Sequence, residues 1–340
     1  MQRAHHRVLV IGSRYLPDAM EWHVVDALQN LGHEVAIVDT TLVGANWGRL
    51  SSALASKAID IFLREPERRA EPRLLRKVEQ FSPTLILVIL GSQLSPKTVS
   101  RLRKATKAPI VCWCQDQMTT LGRQYLLGAG YDAIFLKDRY MQDLFSRMIK
   151  STSFYYLAEA CNPRVHRRIE LTAEDVSRFG CDVGIACTLY YYRQEILQQL
   201  REFDLKLWGT VPDWLLYRLR ERPRGREIFT DDKARAASGA RISLNTLHFA
   251  EINGLNSRAF ELAGCGAFQI VTSRPVLEEH FSPGEEIETF DSIGELIEKI
   301  RHYLRHPESA ASIAQRGQTR AYAEHTYEHR LQEIFRVAVA

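Results

Sequence analysis

The chain has 340 residues, of which 45% are hydrophobic and 25% charged, and its formal net charge is +4. These values are ordinary for a folded globular chain and exclude a mainly disordered, collagen-like or coiled-coil protein. The length predicts two domains. The weak positive charge does not favour a nucleic-acid partner, although it would slightly favour a small anionic ligand.

The sequence also argues against a membrane protein. The longest clean apolar run, residues 85–90, is far shorter than the ~20 residues that a membrane-spanning helix needs. No apolar stretch of signal-peptide length precedes Gly12, so we expect a cytoplasmic protein. The six cysteines show no metal-ligand spacing and are expected to be reduced core thiols, with a redox pair of Cys112 and Cys114 as the alternative.

Short apolar runs alternate with helical patterns in the first half of the chain. The runs predict strands at residues 7–12, 34–39, 84–90, 109–114 and 133–136. A helix is predicted at residues 22–31, and another begins at Ser95-Pro96, where the missing proline N–H costs nothing. Because the apolar runs are continuous, both faces of each strand should be buried, as in a parallel sheet. The alternation therefore predicts a doubly wound α/β domain.

A second series of the same kind follows Asn162-Pro163. Strands are predicted at residues 182–186, 205–209, 241–244, 267–271 and 286–290, with helices at 192–201, 257–263 and 293–304. We therefore expect an N-terminal domain over residues 1–160 and a C-terminal domain over residues 161–319. A final amphipathic helix within residues 320–340 would either close the second domain or cross back to the first.

The most informative stretch surrounds the predicted helix 257–263. Asn256 is a good N-cap, and the first turn, which contains Ser257, would present free N–H groups to a diphosphate. Arg258 would add a cation that can grip phosphate oxygens, and Glu261 lies on the same helix face. An exposed Glu261 carboxylate could accept both hydroxyls of a ribose. The alternative is a surface pair of Arg258 with Glu261 in a tight helix–strand connection.

These residues resemble a known family. The pattern Asn256-x-Arg258-x-Phe-Glu261, after a strand ending in Leu-Asn, is similar to the signature of CgeB-type (spore maturation protein-like) glycosyltransferases. The resemblance extends over most of the chain, and weaker parts of it are Gly32-His-Glu-Val35 and the Trp113-x-x-Asp116 segment. It implies a GT-B fold, in which two Rossmann-like, doubly wound parallel-sheet domains face each other across a cleft.

The resemblance also implies roles for residues of the second domain. Retaining GT-B enzymes carry two glutamates separated by seven residues, and the second corresponds to Glu261, which would bind the ribose. The first falls on Asn253, which can hydrogen-bond a sugar hydroxyl but carries no charge. An arginine after the first strand of this domain often contacts the donor diphosphate, and Arg193 fits that position; otherwise it is a solvated helix residue.

Three further positions are candidates because they follow predicted strands. Gly12 would let the backbone approach a ligand closely, or is simply a turn glycine. Asp116 lies at a strand's carboxyl end, where it could act as the general base that deprotonates an acceptor hydroxyl; a structural aspartate is the main competitor. His248 could position the donor sugar or the β-phosphate, although a lone histidine is more often structural.

Together these expectations describe a metal-independent glycosyltransferase without a cofactor. It would move a sugar from a nucleotide-diphosphate sugar to a hydroxyl on a glycan, protein, lipid carrier or metabolite. The acceptor would enter near residues 12–15 and Asp116. Two alternatives stay open: a GT-B nucleotide-sugar epimerase, and a catalytically silent GT-B relative that binds sugar nucleotide or partner proteins. The silent relative stays a possibility because Asn253 does not carry a carboxylate.

Overall fold

The computed structural model describes residues 5–12, 18–40, 71–90, 94–118, 124–209, 224–225 and 227–339. The chain divides into two compact units. Unit 1 comprises Met1–Leu157 and Leu331–Ala340, and unit 2 comprises Ala158–Arg330. Each unit is built around one parallel β-sheet.

Unit 1 contains a six-stranded parallel sheet. Its strands are β1 (Arg7–Gly12), β2 (Glu34–Asp39), β3 (Leu85–Ile89), β4 (Ile110–Cys114), β5 (Ala133–Leu136) and β6 (Ser153–Tyr156). Its helices in sequence are α1 (Met20–Asn30), α2 (Glu71–Phe81), α3 (Pro96–Ala105) and α4 (Arg139–Met148), with a 3-10 turn at Tyr125–Leu127. The central strands β3 and β4 are buried at every position, as their continuous apolar sequence predicts.

The strand order in unit 1 is β2-β1-β3-β4-β5-β6. The chain moves to one side of β1 to form β2 and to the other side to form β3. The point at which the winding reverses therefore lies between β1 and β3. In open parallel sheets, ligands bind outside the carboxyl ends of the strands at such a point.

Unit 2 contains a second six-stranded parallel sheet. Its strands are β7 (Cys181–Ala186), β8 (Leu205–Trp208), β9 (Arg224–Gly225), β10 (Ala240–Asn245), β11 (Gln269–Thr272) and β12 (Glu288–Phe290). Its helices are α5 (Ala173–Phe179), α6 (Tyr191–Gln198), α7 (Asp231–Gly239), α8 (Ser257–Gly264), α9 (Ile293–Arg305) and α10 (Pro307–Glu324), with a 3-10 segment at Pro275–Glu279. The last helix, α11 (Tyr327–Ala338), begins in unit 2 and from Leu331 onwards belongs to unit 1.

The strand order in unit 2 is β12-β11-β10-β7-β8-β9. This is the dinucleotide-fold order, and its reversal point lies between β7 and β10. Both sheets are doubly wound and parallel, which confirms the predicted fold class.

Local sequence accounts for where several helices begin. Ser95 caps α3, accepting a hydrogen bond from the Thr98 backbone N–H at 3.2 Å, and Pro96 occupies the first helical position. Asn256 caps α8 in the same way, accepting from the Ala259 N–H at 3.2 Å. Both starts agree with the sequence prediction.

The predicted single helix near the C-terminus is wrong in one respect. The amphipathic pattern of residues 320–337 belongs to two helices, α10 and α11, which are separated at His325 and Thr326. Thr326 forms an isolated parallel β-bridge with Cys161, and the Cys161 N–H donates to the His325 carbonyl at 2.9 Å. This pairing with a distant segment interrupts the helix, and helical periodicity does not reveal it.

Arg330 joins the two segments of unit 2 at which the chain passes between the units. It is 8% exposed, and its Nε donates to the carbonyls of Ala158 at 3.1 Å and Glu159 at 3.2 Å. Its guanidinium also lies 3.0 Å from His325 Nδ1. The ends of unit 2 are therefore held side by side by one buried cation.

The burial of His325 leads us to expect that the protein loses stability in acid. Its Nε2 lies 2.8 Å from the His280 carbonyl oxygen and its Nδ1 faces Arg330, so the ring fits as the neutral Nε2–H tautomer. Burial, and then the charge of Arg330, lower the pKa of His325 from 6.5 to about 3. Between the two pKa values, the His325 ring binds a proton in the unfolded chain but stays neutral in the folded chain. The free energy of unfolding should therefore fall by about 2 kcal/mol from pH 8 to pH 5 through this group alone.

Urea unfolding at pH 8 and pH 5 measures this effect. The His325→Gln variant should lose it, whereas His306→Gln, at an exposed position, should keep the wild-type dependence. An unchanged pH dependence in the His325→Gln variant would contradict the prediction.

All six cysteines are free and buried. Burial raises the pKa of Cys112 well above its usual value, and the neighbouring Cys114 raises it further, so the Cys112 thiol stays protonated at neutral pH. Within the described part of the chain, every helix is too short or too polar to cross a bilayer.

Candidate active site

The reversal point of unit 2 carries the largest group of predicted site residues. The segments after β7 and β10 begin there, and they lead into the N-termini of α6 and α8. Arg193 lies in the first turn of α6, and Ser257 and Arg258 open α8. Helix N-termini present free N–H groups and partial positive charge, so this edge of the sheet suits an anion.

Arg193 is a buried, hydrogen-bonded residue of this edge rather than a solvated helix residue. It is 7% exposed, and its guanidinium donates to Thr246 Oγ1 at 3.0 Å, the Thr246 carbonyl at 2.9 Å and the Thr188 carbonyl at 2.7 Å. It also lies 4.5 Å from the centre of the Tyr190 ring. Arg193 therefore ties the segment after β7 to the segment after β10.

A second arginine stands close to the first. Burial lowers the pKa of Arg193 from its usual value, and the charge of Arg258 acts in the same direction. The two cations repel each other at this edge of the sheet. A bound diphosphate would offset that repulsion.

Asparagine side chains hold Arg258 in place. Asn245, at the end of β10, and Asn256 exchange amide hydrogen bonds of 3.0 and 2.9 Å. The Asn245 Oδ1 also accepts from Arg258 at 3.2 Å. Asn245 is fully buried, whereas Arg258 is half-buried. The start of α8 is thus locked to the end of β10, and Arg258 keeps donors for a ligand.

Glu261 lies one turn further along α8 and is buried, at 8% exposure. Its Oε2 forms an ion pair with Lys233 Nζ of α7 at 2.8 Å. With Arg258, these side chains line a small cavity of about 40 Å³ between α7, α8 and the strands β7, β8 and β10.

The loop after β10 has a folded structure of its own. His248 is half-buried, its Nδ1 accepts from the Ala250 N–H at 3.0 Å, and its ring packs on Tyr190 and Phe249. Asn253 Oδ1 accepts from the Val276 N–H at 2.8 Å and so starts the 3-10 segment after β11. In the structure the Asn253 side-chain oxygen therefore accepts a backbone hydrogen bond.

Gly12 and Asp116 belong to unit 1. Gly12 ends β1, where a Cβ atom would stand 2.5 Å from Glu21 Cγ, so packing against α1 already requires glycine. Asp116 is exposed just after β4. Residues 13–15, predicted to border the acceptor, lie outside the described residues.

Unit 1 also contains a pair that the sequence did not single out. Asp18 Oδ1 lies 2.8 Å from His23 Nε2, and both side chains are almost completely buried. Asp18 has a backbone φ of 67°, in the left-handed region that aspartate tolerates better than most residues. Its neighbour α1 follows β1, so the pair lies at the edge where unit 1 reverses its winding.

Unit 2 therefore brings together seven predicted residues at one edge of its sheet: Arg193, His248, Asn253, Asn256, Ser257, Arg258 and Glu261. Three contributors were missed, namely Lys233, Asn245 and Thr246. Asn245 and Thr246 directly follow the apolar run of β10, a position that could have indicated them. Lys233 had no such signal, because it reaches the site from a different helix.

Part of the chain matches a known family. Residues 193–336 match the model of a family described as glycosyl transferase-like. This segment begins at Arg193 within α6, contains Arg258 and Glu261, and runs to near the end of α11. No curated protein matches the sequence.

Several solved structures are similar along nearly the whole chain. Sucrose-phosphate synthase from Thermosynechococcus elongatus has a TM-score of 0.70 at 11% identity, covering 98% of both chains. HepE from Anabaena, solved with UDP-glucose, has a TM-score of 0.67 at 14% identity, covering 98% of this chain and 99% of that one. A DNA-modifying β-glucosyltransferase has a TM-score of 0.57 at 10% identity, covering 98% of this chain and all of that one.

At these identities the structural similarities show the fold, and the family match adds the activity. The protein is a glycosyltransferase of the GT-B fold.

Proposed function

We propose that unit 2 binds a nucleoside-diphosphate sugar and that the protein is of the CgeB type. The observation that carries the donor site is the convergence of Arg193, Arg258 and the N-terminus of α8 beside a cavity that contains Glu261. The cations and N–H groups suit a diphosphate. A carboxylate within the adjoining cavity suits the hydroxyl groups of a ribose.

The arrangement stabilises the charge that forms during transfer. When the bond from the anomeric carbon to the diphosphate breaks, negative charge grows on the leaving oxygen. Donors that are already oriented towards it stabilise that charge without reorganisation. Asn245 and Asn256 orient Arg258, and Thr188 and Thr246 orient Arg193. We therefore propose that transfer needs no metal ion.

The acceptor side of the reaction is proposed for unit 1. Asp116 is exposed after β4, so its carboxylate could reach the hydroxyl of a bound acceptor and take its proton. Gly12 ends β1 at the point where unit 1 reverses its winding. We propose this edge as the acceptor site.

A thermal-shift panel tests the donor site. UDP, GDP, ADP, TDP and CMP and their sugars are added to wild type and Glu261→Ala, with and without EDTA. UDP compounds come first, because the similar HepE structure holds UDP-glucose. A ligand at 100 times its Kd should stabilise wild type by about 2.7 kcal/mol. Loss of a charged hydrogen-bond acceptor should raise the Kd of the Glu261→Ala variant ~10-fold or more.

Glu308→Ala is the matched control, because Glu308 is exposed on α10. It should bind as wild type does, and EDTA should change neither protein's response. If no nucleotide stabilises wild type, the donor site is wrong. If wild type binds a donor but neither hydrolyses nor transfers it, the protein is a silent binding relative.

A further inference from the structure

Lys233 occupies an unusual position for a lysine, because it lies at the N-terminus of a helix. It lies in the first turn of α7, where the helix dipole disfavours a cation. The two acidic residues of that turn form ion pairs elsewhere: Asp231 with Arg167 at 3.3 Å and Asp232 with Arg178 at 2.8 Å. The Lys233 ammonium instead lies 2.8 Å from Glu261 Oε2.

The Lys233–Glu261 pair is set into the wall of the cavity. The two side chains are 23% and 10% exposed, so water screens them only partly. The strands behind the cavity contribute Gly184, Ala186 and Ser243, and α7 contributes Ala236 and Ala237. The larger side chains of Trp208, Leu244 and Leu262 complete the lining, and the charged groups at the cavity wall come from α7 and α8.

Glutamate has three side-chain torsions, so a carboxylate without a fixed partner samples many orientations. An ammonium group on Oε2 restricts those orientations, and the two carboxylate oxygens together have lone pairs for more than one donor. It also offsets a negative charge that would otherwise repel a nearby diphosphate. Both effects favour a ligand with vicinal hydroxyls and phosphates.

We propose that Lys233 is a positioning residue, which holds the Glu261 carboxylate in the orientation that accepts the ribose hydroxyls of the donor nucleotide. The proposal rests on the donor site argued above. Lys233 acts through Glu261 and makes the site selective for a ribonucleotide over one that lacks the ribose hydroxyls.

Calorimetric titration with UDP and 2′,3′-dideoxy-UDP tests the proposal. If another diphosphate stabilises wild type best, that ribonucleotide and its dideoxy form are used. Lys233→Met should raise the Kd of the ribonucleotide ~10-fold and that of the dideoxy form less than 2-fold. Lys233→Arg, which keeps a cation, should restore most of the lost affinity.

A double-mutant cycle separates positioning from a general loss of charge. Adding Lys233→Met to Glu261→Gln should weaken ribonucleotide binding no further, because the carboxylate to be held is already gone. Lys299→Met is the matched control: Lys299 is 27% exposed and pairs with Glu288 at 3.0 Å, away from the cavity. It should leave both Kd values unchanged. If Lys233→Met does not fold, Lys233→Gln carries the same comparison.

The outcomes distinguish this inference from the proposed function. If wild type binds no nucleotide, the donor site itself fails. If wild type binds but Lys233→Met weakens the ribonucleotide and dideoxy forms equally, or weakens neither, the positioning role is wrong. Additive effects of Lys233→Met and Glu261→Gln would overturn it as well.

Discussion

Replacing Arg258 by methionine is expected to lower turnover ~100- to 1,000-fold while the protein still folds. Removal of one preoriented donor to a developing negative charge has this magnitude in other enzymes. Arg258 is half-buried, and its one described hydrogen bond goes to Asn245, which also pairs with Asn256. Few folded-state interactions therefore depend on it. The measurement is the rate of nucleotide release from the donor sugar that stabilises wild type best.

Arg301→Met is the matched control for this variant. Arg301 is exposed on α9 and pairs with Glu202, so it should change neither turnover nor melting temperature. Arg258→Lys should recover only part of the rate, because an ammonium cannot reproduce the planar fork of a guanidinium. Normal turnover in a folded Arg258→Met protein would remove Arg258 from the mechanism.

Replacing Arg193 by methionine should instead reduce both stability and donor binding. The change leaves the buried Thr246 carbonyl and the partly buried Thr188 carbonyl without this donor and removes the contact with Tyr190. Such losses cost about 3 kcal/mol. For a unit of this size the melting temperature should fall by roughly 6–12 °C. Differential scanning calorimetry with and without the diphosphate measures both effects.

The comparison of the two arginine variants is informative because the side chains are neighbours of the same type. Arg193→Met should lose more stability than Arg258→Met, and Arg193→Lys should not restore it, since one ammonium cannot replace the donors that reach both carbonyls. A melting temperature unchanged in Arg193→Met would show that the hydrogen bonds across the reversal point contribute little.

Local chemistry made several elements predictable. The bounds predicted for β1, β2 and β5 agree with the structure, because continuous apolar runs between turn residues are typical of buried parallel strands. The cap at Asn256 agrees too, since its side chain satisfies an N–H of its own helix. Both signals depend on residues within a few positions of each other.

Other features depend on residues far apart in the chain. Lys233 and Glu261 are brought together by the packing of α7 and α8 against one sheet. The sequence around either residue does not indicate that they pair. The break at His325 has the same origin, because its partner is the distant Cys161 segment. Helix spacing alone allows a pair of Arg258 with Glu261, yet Arg258 bonds Asn245 and Glu261 pairs with Lys233.

The sequence by itself determined the alternation of strands and helices, the two-domain α/β class and the helix start that carries Arg258. These follow from apolar periodicity and from caps that act over three or four residues. Only the tertiary structure decided the strand orders, the link from Arg193 to Thr246 and the placement of Lys233 beside Glu261. Those contacts arise where separate elements pack together, and the free energy that selects them comes from the whole sheet and its helices.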